Sequence, residues 1–224
     1  MAALELLNTT LFSDANLQAY YRLEGNANDS KNSNNLTSTG SPGTVAGQFG
    51  NALDYESTTP SYSNGALTAP TGSFTILAWV KFESLTALDA IAVFGNVGGT
   101  DYTGVLVGTG ANVIRFAMNG ASEIESDVTV TTATWYMVGV VWDGTNKKVI
   151  VNDTIKSAVD ATTPSTTGTF GIASLGAYVG SAWGDSVIDD VAYFDRALTD
   201  TEITDHYNGS DGLGGGLDLT SKYW

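Results

Sequence analysis

Residues 186–209 read SVIDDVAYFDRALTDTEITDHYNG: a strand, a tight turn and a short helix. In a strand, residues of one parity share a face. Asp189, Val191 and Tyr193 form one set, and Ile188, Asp190, Ala192 and Phe194 the other. Either way a carboxylate shares a face with large apolar side chains. A buried carboxylate is costly unless it is paired, hydrogen-bonded or bound to a metal. The helix carries a T-x-x-E capping box at Thr199 and Glu202, an apolar staple from Leu198 to Ile203, and a stop at Gly209. The rest of the chain has to supply whatever neutralises that Asp.

Composition bounds the answer. The chain has 224 residues, within the range of one all-β domain, and 42% of them are apolar, enough for a sizeable core. Twenty-six Gly and 10% aromatic residues favour strands and turns. Asp and Glu number 24 against 9 Lys and Arg, a net charge of −15. That balance repels nucleic acid and anionic membrane; it suits cations, neutral ligands such as sugars, or basic partners. There is no Cys, which excludes disulfides and thiolate metal sites. No apolar run approaches the ~18 residues of a membrane span. Residues 1–16 lack a basic segment and carry Glu5, so they make a poor signal peptide.

Residues 1–16 read as an arm, helical or extended. Leu17–Leu23 alternates as a strand, and Gly25–Asn35 (GNANDSKNSNN) is a loop dense in oxygen atoms. Phe74–Phe82 (FTILAWVKF) is almost continuously apolar, as in a strand covered on both faces. Trp135–Trp142 and Lys147–Val151 flank Asp143-Gly144-Thr145-Asn146, a hairpin signal. Further short strands are expected at 90–94, 104–107, 113–119, 169–172 and 177–179. About a dozen short strands without βαβ alternation predict an all-β sandwich over 17–209. Residues 210–224 form a Gly-rich tail with Leu217, Leu219, Tyr223 and Trp224, suited to docking on a neighbouring subunit.

Four stretches then resemble one family in order: LQAYYRLEGNANDS (17–30), GQFGNALDYE with FTILAWVKF (47–56 and 74–82), TWYMVGVVWDGTNKKVIVND (134–153) and IDDVAYFDRALTDTEI (188–203). Together they are similar to the laminin-G-like, concanavalin A-like lectin domains. The resemblance implies a two-sheet antiparallel jelly-roll sandwich with one short C-terminal helix. It also implies a calcium site near a sheet edge, and a non-catalytic role in binding carbohydrates or proteins. Glu24 stands where the family often has Asp, and Lys31 brings a positive charge near the expected ion.

On this basis Asn26 and Asp29 in the first loop and Asp189 or Asp190 in the last strand are the candidate calcium ligands. Asp189 is favoured for its parity with Val191 and Tyr193. Calcium takes about 6–8 oxygens, backbone carbonyls included. The plainer alternative is that Asp189 accepts backbone N–H groups or pairs with Arg22 or Arg196. Glu123, Glu125 and Asp127 alternate on one strand face and form the only glycosidase candidate; retaining enzymes need two carboxyls ~5–5.5 Å apart at a cleft. A solvated strand face is the expected reading. His206, the sole His, is expected at the helix C-terminus, as a favourable charge or a hydrogen bond. Trp79, Trp135 and Trp142 are assigned to the core. Tyr62, Tyr102, Tyr178 and Trp183 lie near loops and are candidate ligand contacts. The expected function is a calcium-supported, lectin-like surface module binding glycans or other cell-surface ligands. An outward-facing setting such as a phage virion needs no signal peptide. The alternative is a purely structural assembly or decoration protein, with homo-oligomer or virion neighbours.

Overall fold

The strand Ser186–Phe194 lies inside a sheet with every side chain buried. The computed structural model describes residues 9–56, 62–85, 88–95, 101–108, 111–119, 122–160, 162–164, 168–173 and 185–209. In chain order the elements are α1 (Thr9–Ser13), β1 (Leu17–Tyr21), β2 (Thr37–Thr39), β3 (Gly43–Ala46), β4 (Asn51–Tyr55), β5 (Tyr62–Thr68) and β6 (Phe74–Phe82). They continue with β7 (Asp89–Gly95), β8 (Tyr102–Val107), β9 (Val113–Met118), β10 (Ser122–Thr129), β11 (Trp135–Trp142) and β12 (Asn146–Val151). The last are β13 (Thr154–Val159), β14 (Thr169–Ile172), β15 (Ser186–Phe194) and α2 (Asp200–Asn208).

Two antiparallel sheets form a jelly-roll sandwich. One runs β13-β12-β11-β6-β15-β4-β3, with β1 also paired to β15; the other runs β10-β9-β8-β7-β14-β5-β2. Strand β6 shows why its sequence is apolar throughout. Phe74, Ile76, Ala78, Val80 and Phe82 face the core between the sheets, while Leu77 and Trp79 face a second core outside. Strand β11 divides in the same way, with Val138, Val140 and Trp142 inside and Met137 and Val141 outside. The expected turn follows it: the Asp143 carboxylate accepts the N–H groups of Thr145 (2.9 Å) and Asn146 (2.7 Å). Between the sheets Phe170 packs on Phe94 (4.9 Å between centroids) and Tyr21 (5.7 Å).

The outer core is covered by the two helices. The last part of the N-terminal arm is helical, and Leu11 and Phe12 join Tyr20, Trp79 and Phe194 there. Lys31 is drawn into this layer: its Nζ donates to the Phe12 carbonyl (2.7 Å) and lies over the Phe12 ring. Helix α2 has the capping box expected, and Leu198 and Ile203 are both buried in the outer core. Arg196 bridges Asp14 (2.5 Å) and Glu202 (2.6 Å), tying both helices to the end of β15. Arg196 holds the Glu202 carboxyl down at about 2. Among the described residues, no helix is long and apolar enough to cross a membrane.

His206 departs from its expected role as a charge at the helix end. It is buried on the inward side of α2, Nδ1 has no hydrogen-bond partner among the described residues, and burial pushes its pKa down to about 4. The unfolded chain therefore takes up a proton that the folded one refuses. Stability is full above pH ~6.5 and is lost as pH falls from there towards 4, by about 3 kcal/mol from this group. The difference in unfolding free energy between wild type and His206→Leu, measured from pH 7.5 to pH 4, should show that slope. A pH-independent difference would mean that His206 does not resist protonation.

Candidate functional site

In strand β15 the paired register fails beside two buried acids, Asp189 and Asp190. Asp189 pairs with Trp79 but Ala192 pairs with Leu77, so β15 carries one extra residue against β6. Asp190 absorbs it with φ 47°, a β-bulge. The bulge overturns the parity expected from sequence. Ile188, Val191 and Tyr193 face the inner core, whereas Ala192 and Phe194 face the outer one. Asp189, opposite Trp79, belongs to the outer side.

Asp189 is fully buried. Its Oδ2 accepts the Phe49 N–H (3.0 Å), while Oδ1 has no hydrogen-bond partner among the described residues. Glu24 approaches the same turn from after β1. Its Oε2 accepts both the backbone N–H and the side-chain amide of Asn51, each at 3.0 Å. Two glycines make room: a Cβ on Gly47 would come 2.5 Å from Asp189 Oδ2, and one on Gly50 would strike Glu24 Oε1. Gly50 also has φ +67°, open to glycine at little cost. The turn 47–50 is thus wedged between two carboxylates. Burial pushes the Asp189 carboxyl up to about 7, and the Glu24 charge adds to the rise. Asp190 is raised well above the usual range by burial and then by Asp189, although the Tyr20 hydroxyl donates to its Oδ1 (2.5 Å).

Neither arginine named as an alternative partner forms a salt bridge with Asp189 among the described residues, although Arg22 stands at this corner beside Glu24. Arg196 serves Asp14 and Glu202. Arg22 approaches Glu24 Oε1 at 4.0 Å and lowers the Asp190 carboxyl. The donor set at this corner fits a hard cation: one buried carboxylate oxygen has no hydrogen-bond partner among the described residues, and a second carboxylate faces the same turn.

Asp29 and Asn26 have other occupations. Asp29 Oδ1 accepts the N–H groups of Tyr20 (3.0 Å) and Lys31 (2.9 Å), and Oδ2 accepts that of Asn34 (3.0 Å). It organises its own loop against β1. Asn26 is exposed, and its Oδ1 accepts the Asn28 N–H (3.0 Å). Glu24, noted in the sequence only as a departure from the family's Asp, was not named a ligand candidate; that position and the glycines of GQFGN were the available signals.

The acids of β10 are paired: Arg115 of β9 with Glu123 (3.2 Å) and Glu125 (2.8 Å), and Lys156 of β13 with Asp127 (2.7 Å). Alternating acids here balance neighbouring cations across strands. Tyr102 is half-buried at the start of β8 and packs on a small cluster with Ala90, Val93 and Leu106. Tyr62 opens β5. Tyr178, Trp183, the strand expected at 177–179 and the 210–224 tail lie outside the described residues. A second acidic group, Asp54, Glu56 and Glu83, brings carboxylate oxygens within 4.8 Å of one another at the ends of β4 and β6.

A comparison of the sequence with curated proteins finds no match. Solved structures share the fold. Domain 4 of the extracellular arabinanase AbnA from Geobacillus stearothermophilus, solved with arabinotriose, aligns with TM-score 0.68 at 18% identity, over 87% of this chain and 100% of that one. Trypanosoma rangeli sialidase, solved with the inhibitor DANA, aligns with TM-score 0.67 at 13% identity over 91% of this chain, which spans only 34% of the sialidase. The receptor-binding domain of botulinum neurotoxin D aligns with TM-score 0.62 at 16% identity, over 87% of this chain and 53% of that one. The family model described as the concanavalin A-like lectin/glucanases superfamily matches residues 54–204, which include most strands of both sheets and the capping box of α2. The chain belongs to the concanavalin A-like lectin/glucanase superfamily.

Proposed function

We propose that this domain is a non-catalytic carbohydrate-recognition module with a calcium ion at the Glu24–Asp189 corner. The calcium reading is carried by Asp189 Oδ1, a buried acceptor with no well-formed hydrogen bond among the described residues, beside a second carboxylate. Buried acceptors left in that state are rare and costly. Asp189 and Glu24 would hold the ion together with backbone carbonyls of the 47–50 turn, the oxygen-rich set that calcium prefers. The ion would balance charge and fix the turn. The carbohydrate reading is supported by the superfamily and by the arabinotriose found with the arabinanase domain. Catalysis is left out because the acids alternating on β10 are tied to Arg115 and Lys156. The setting proposed is outward-facing, as on a cell or virion surface.

A glycan array probed with the full chain, in calcium and in chelator, tests this directly. Binding to at least one glycan class, weakened by chelator, is the expected result. Silence across the array in both conditions would overturn carbohydrate recognition. Silence accompanied by self-assembly in solution would favour the purely structural role.

A further inference from the structure

A cleft of about 400 Å³ opens where the start of β1, the β5–β6 connection and the end of β15 meet. Neither Glu24, Asp189 nor an acid of β10 lines it, and Tyr193 faces the inner core whereas Asp189 lies on the outer side of β15. Gln18, Thr71, Ser73, Tyr193 and Asp195 supply its polar groups. Tyr193 is 3% exposed, its ring packed on Phe94 in the inner core (4.9 Å between centroids). It therefore offers an edge rather than a stacking face. Burial, with a contribution from Asp195, raises its pKa, so the hydroxyl remains a donor at neutral pH. Asp195 is exposed at the rim, and its backbone N–H is fixed by the Asn16 carbonyl (3.0 Å).

We infer that this cleft seats a neutral sugar, held by hydroxyl, amide and carboxylate groups and selected against acidic sugars. The inference rests on the carbohydrate reading above and names its site and ligand class. None of the described residues lining it is Lys, Arg or His, so a sialic or uronic carboxylate would meet Asp195 with no cation among them to receive it. A neutral sugar brings hydroxyl donors that a carboxylate accepts in short, charge-assisted hydrogen bonds. Gln18, Thr71 and Ser73 offer both donors and acceptors to further hydroxyls. Leu67 and Pro70 give part of the wall an apolar surface.

Gly72 provides a steric probe. A Cβ there would meet nothing within 4 Å, and its backbone is not in the glycine-favouring region. Gly72 lines the cleft, so Gly72→Trp adds bulk at its wall without disturbing the packing beneath it. The experiment screens wild type, Gly72→Trp and Asp195→Ala on an array of neutral glycans, arabinotriose included, and of sialylated and uronic glycans, with melting temperatures as the fold control. Wild type is expected to bind neutral glycans. Both variants should bind them at least about tenfold more weakly, with melting temperatures near that of wild type. Should Gly72→Trp unfold, Asp195→Ala still decides the matter. Unchanged neutral-glycan binding by the folded variants would overturn the cleft while leaving carbohydrate recognition intact. Wild-type binding confined to acidic glycans would overturn the ligand class. Absence of any glycan binding would overturn both readings together.

Discussion

Calcium is expected to raise the melting temperature of the wild-type domain by about 5–10 °C and to leave that of Asp189→Asn unchanged. A ligand at one hundred times its Kd adds about 2.7 kcal/mol to folding. For a domain of this size, each kcal/mol moves the midpoint by ~2–4 °C. The variant also separates the ion from ordinary packing. In chelator, Asp189→Asn should melt above wild type, because the substitution removes a charge disfavoured by burial and by Glu24. In calcium the order should reverse. A residue that merely accepted the Phe49 N–H would give one order in both conditions. The acidic group at Asp54, Glu56 and Glu83 supplies the control. If calcium still stabilises Asp189→Asn by the full amount, the ion sits elsewhere, and Glu83→Gln is the next variant to titrate. If calcium stabilises neither protein, the corner is not a calcium site.

The architecture was readable because its signals are local. Two-sided burial of FTILAWVKF, the Asp-Gly-Thr-Asn turn and the Thr199–Glu202 box each depend on residues close in sequence, and each appears as expected. The candidate site was half legible. An Asp in β15 needing compensation followed from alternation alone. Its facing did not, because one extra residue at Asp190 reverses parity, and nothing in IDDVAY distinguishes a bulged Asp from a paired one. Asp29 attracted attention because it sits in an oxygen-rich loop. Yet such a loop also needs an acceptor for its own N–H groups, and Asp29 serves that need. Glu24, Gly47 and Gly50 meet Asp189 only through the pairing of β4 with β15 and the return from β1, contacts between segments far apart in sequence. The cleft beside Tyr193 likewise depends on three separate segments, and composition alone does not signal it.

Lys147→Ala should cost about 3–5 kcal/mol in denaturant unfolding, the range for removing one partner of a buried ion pair. Lys147 is 1% exposed, and its Nζ lies 2.8 Å from Asp160 and 5.6 Å from the Phe116 ring centroid. It occupies the inward face that Val149 and Val151 share, so it stands between the sheets at the end of the β11–β12 hairpin. Asp160 is committed on its other side, accepting the Thr162 N–H (2.7 Å), and the pair anchors the chain leaving β13. Two terms add in the Ala variant: lost packing against Phe116 and an Asp160 without its cation. Lys147→Met separates them, since it keeps most of the volume and the apolar stem. Asp160 retains 20% side-chain exposure and can turn to water, so Met should recover more than half of the loss. Asp160→Asn in the Met background should then be nearly neutral, while in wild type it removes the attraction that keeps Lys147 buried. If Met proves as damaging as Ala, the charge outweighs the packing; if both are neutral, this lysine does not hold the sheets together.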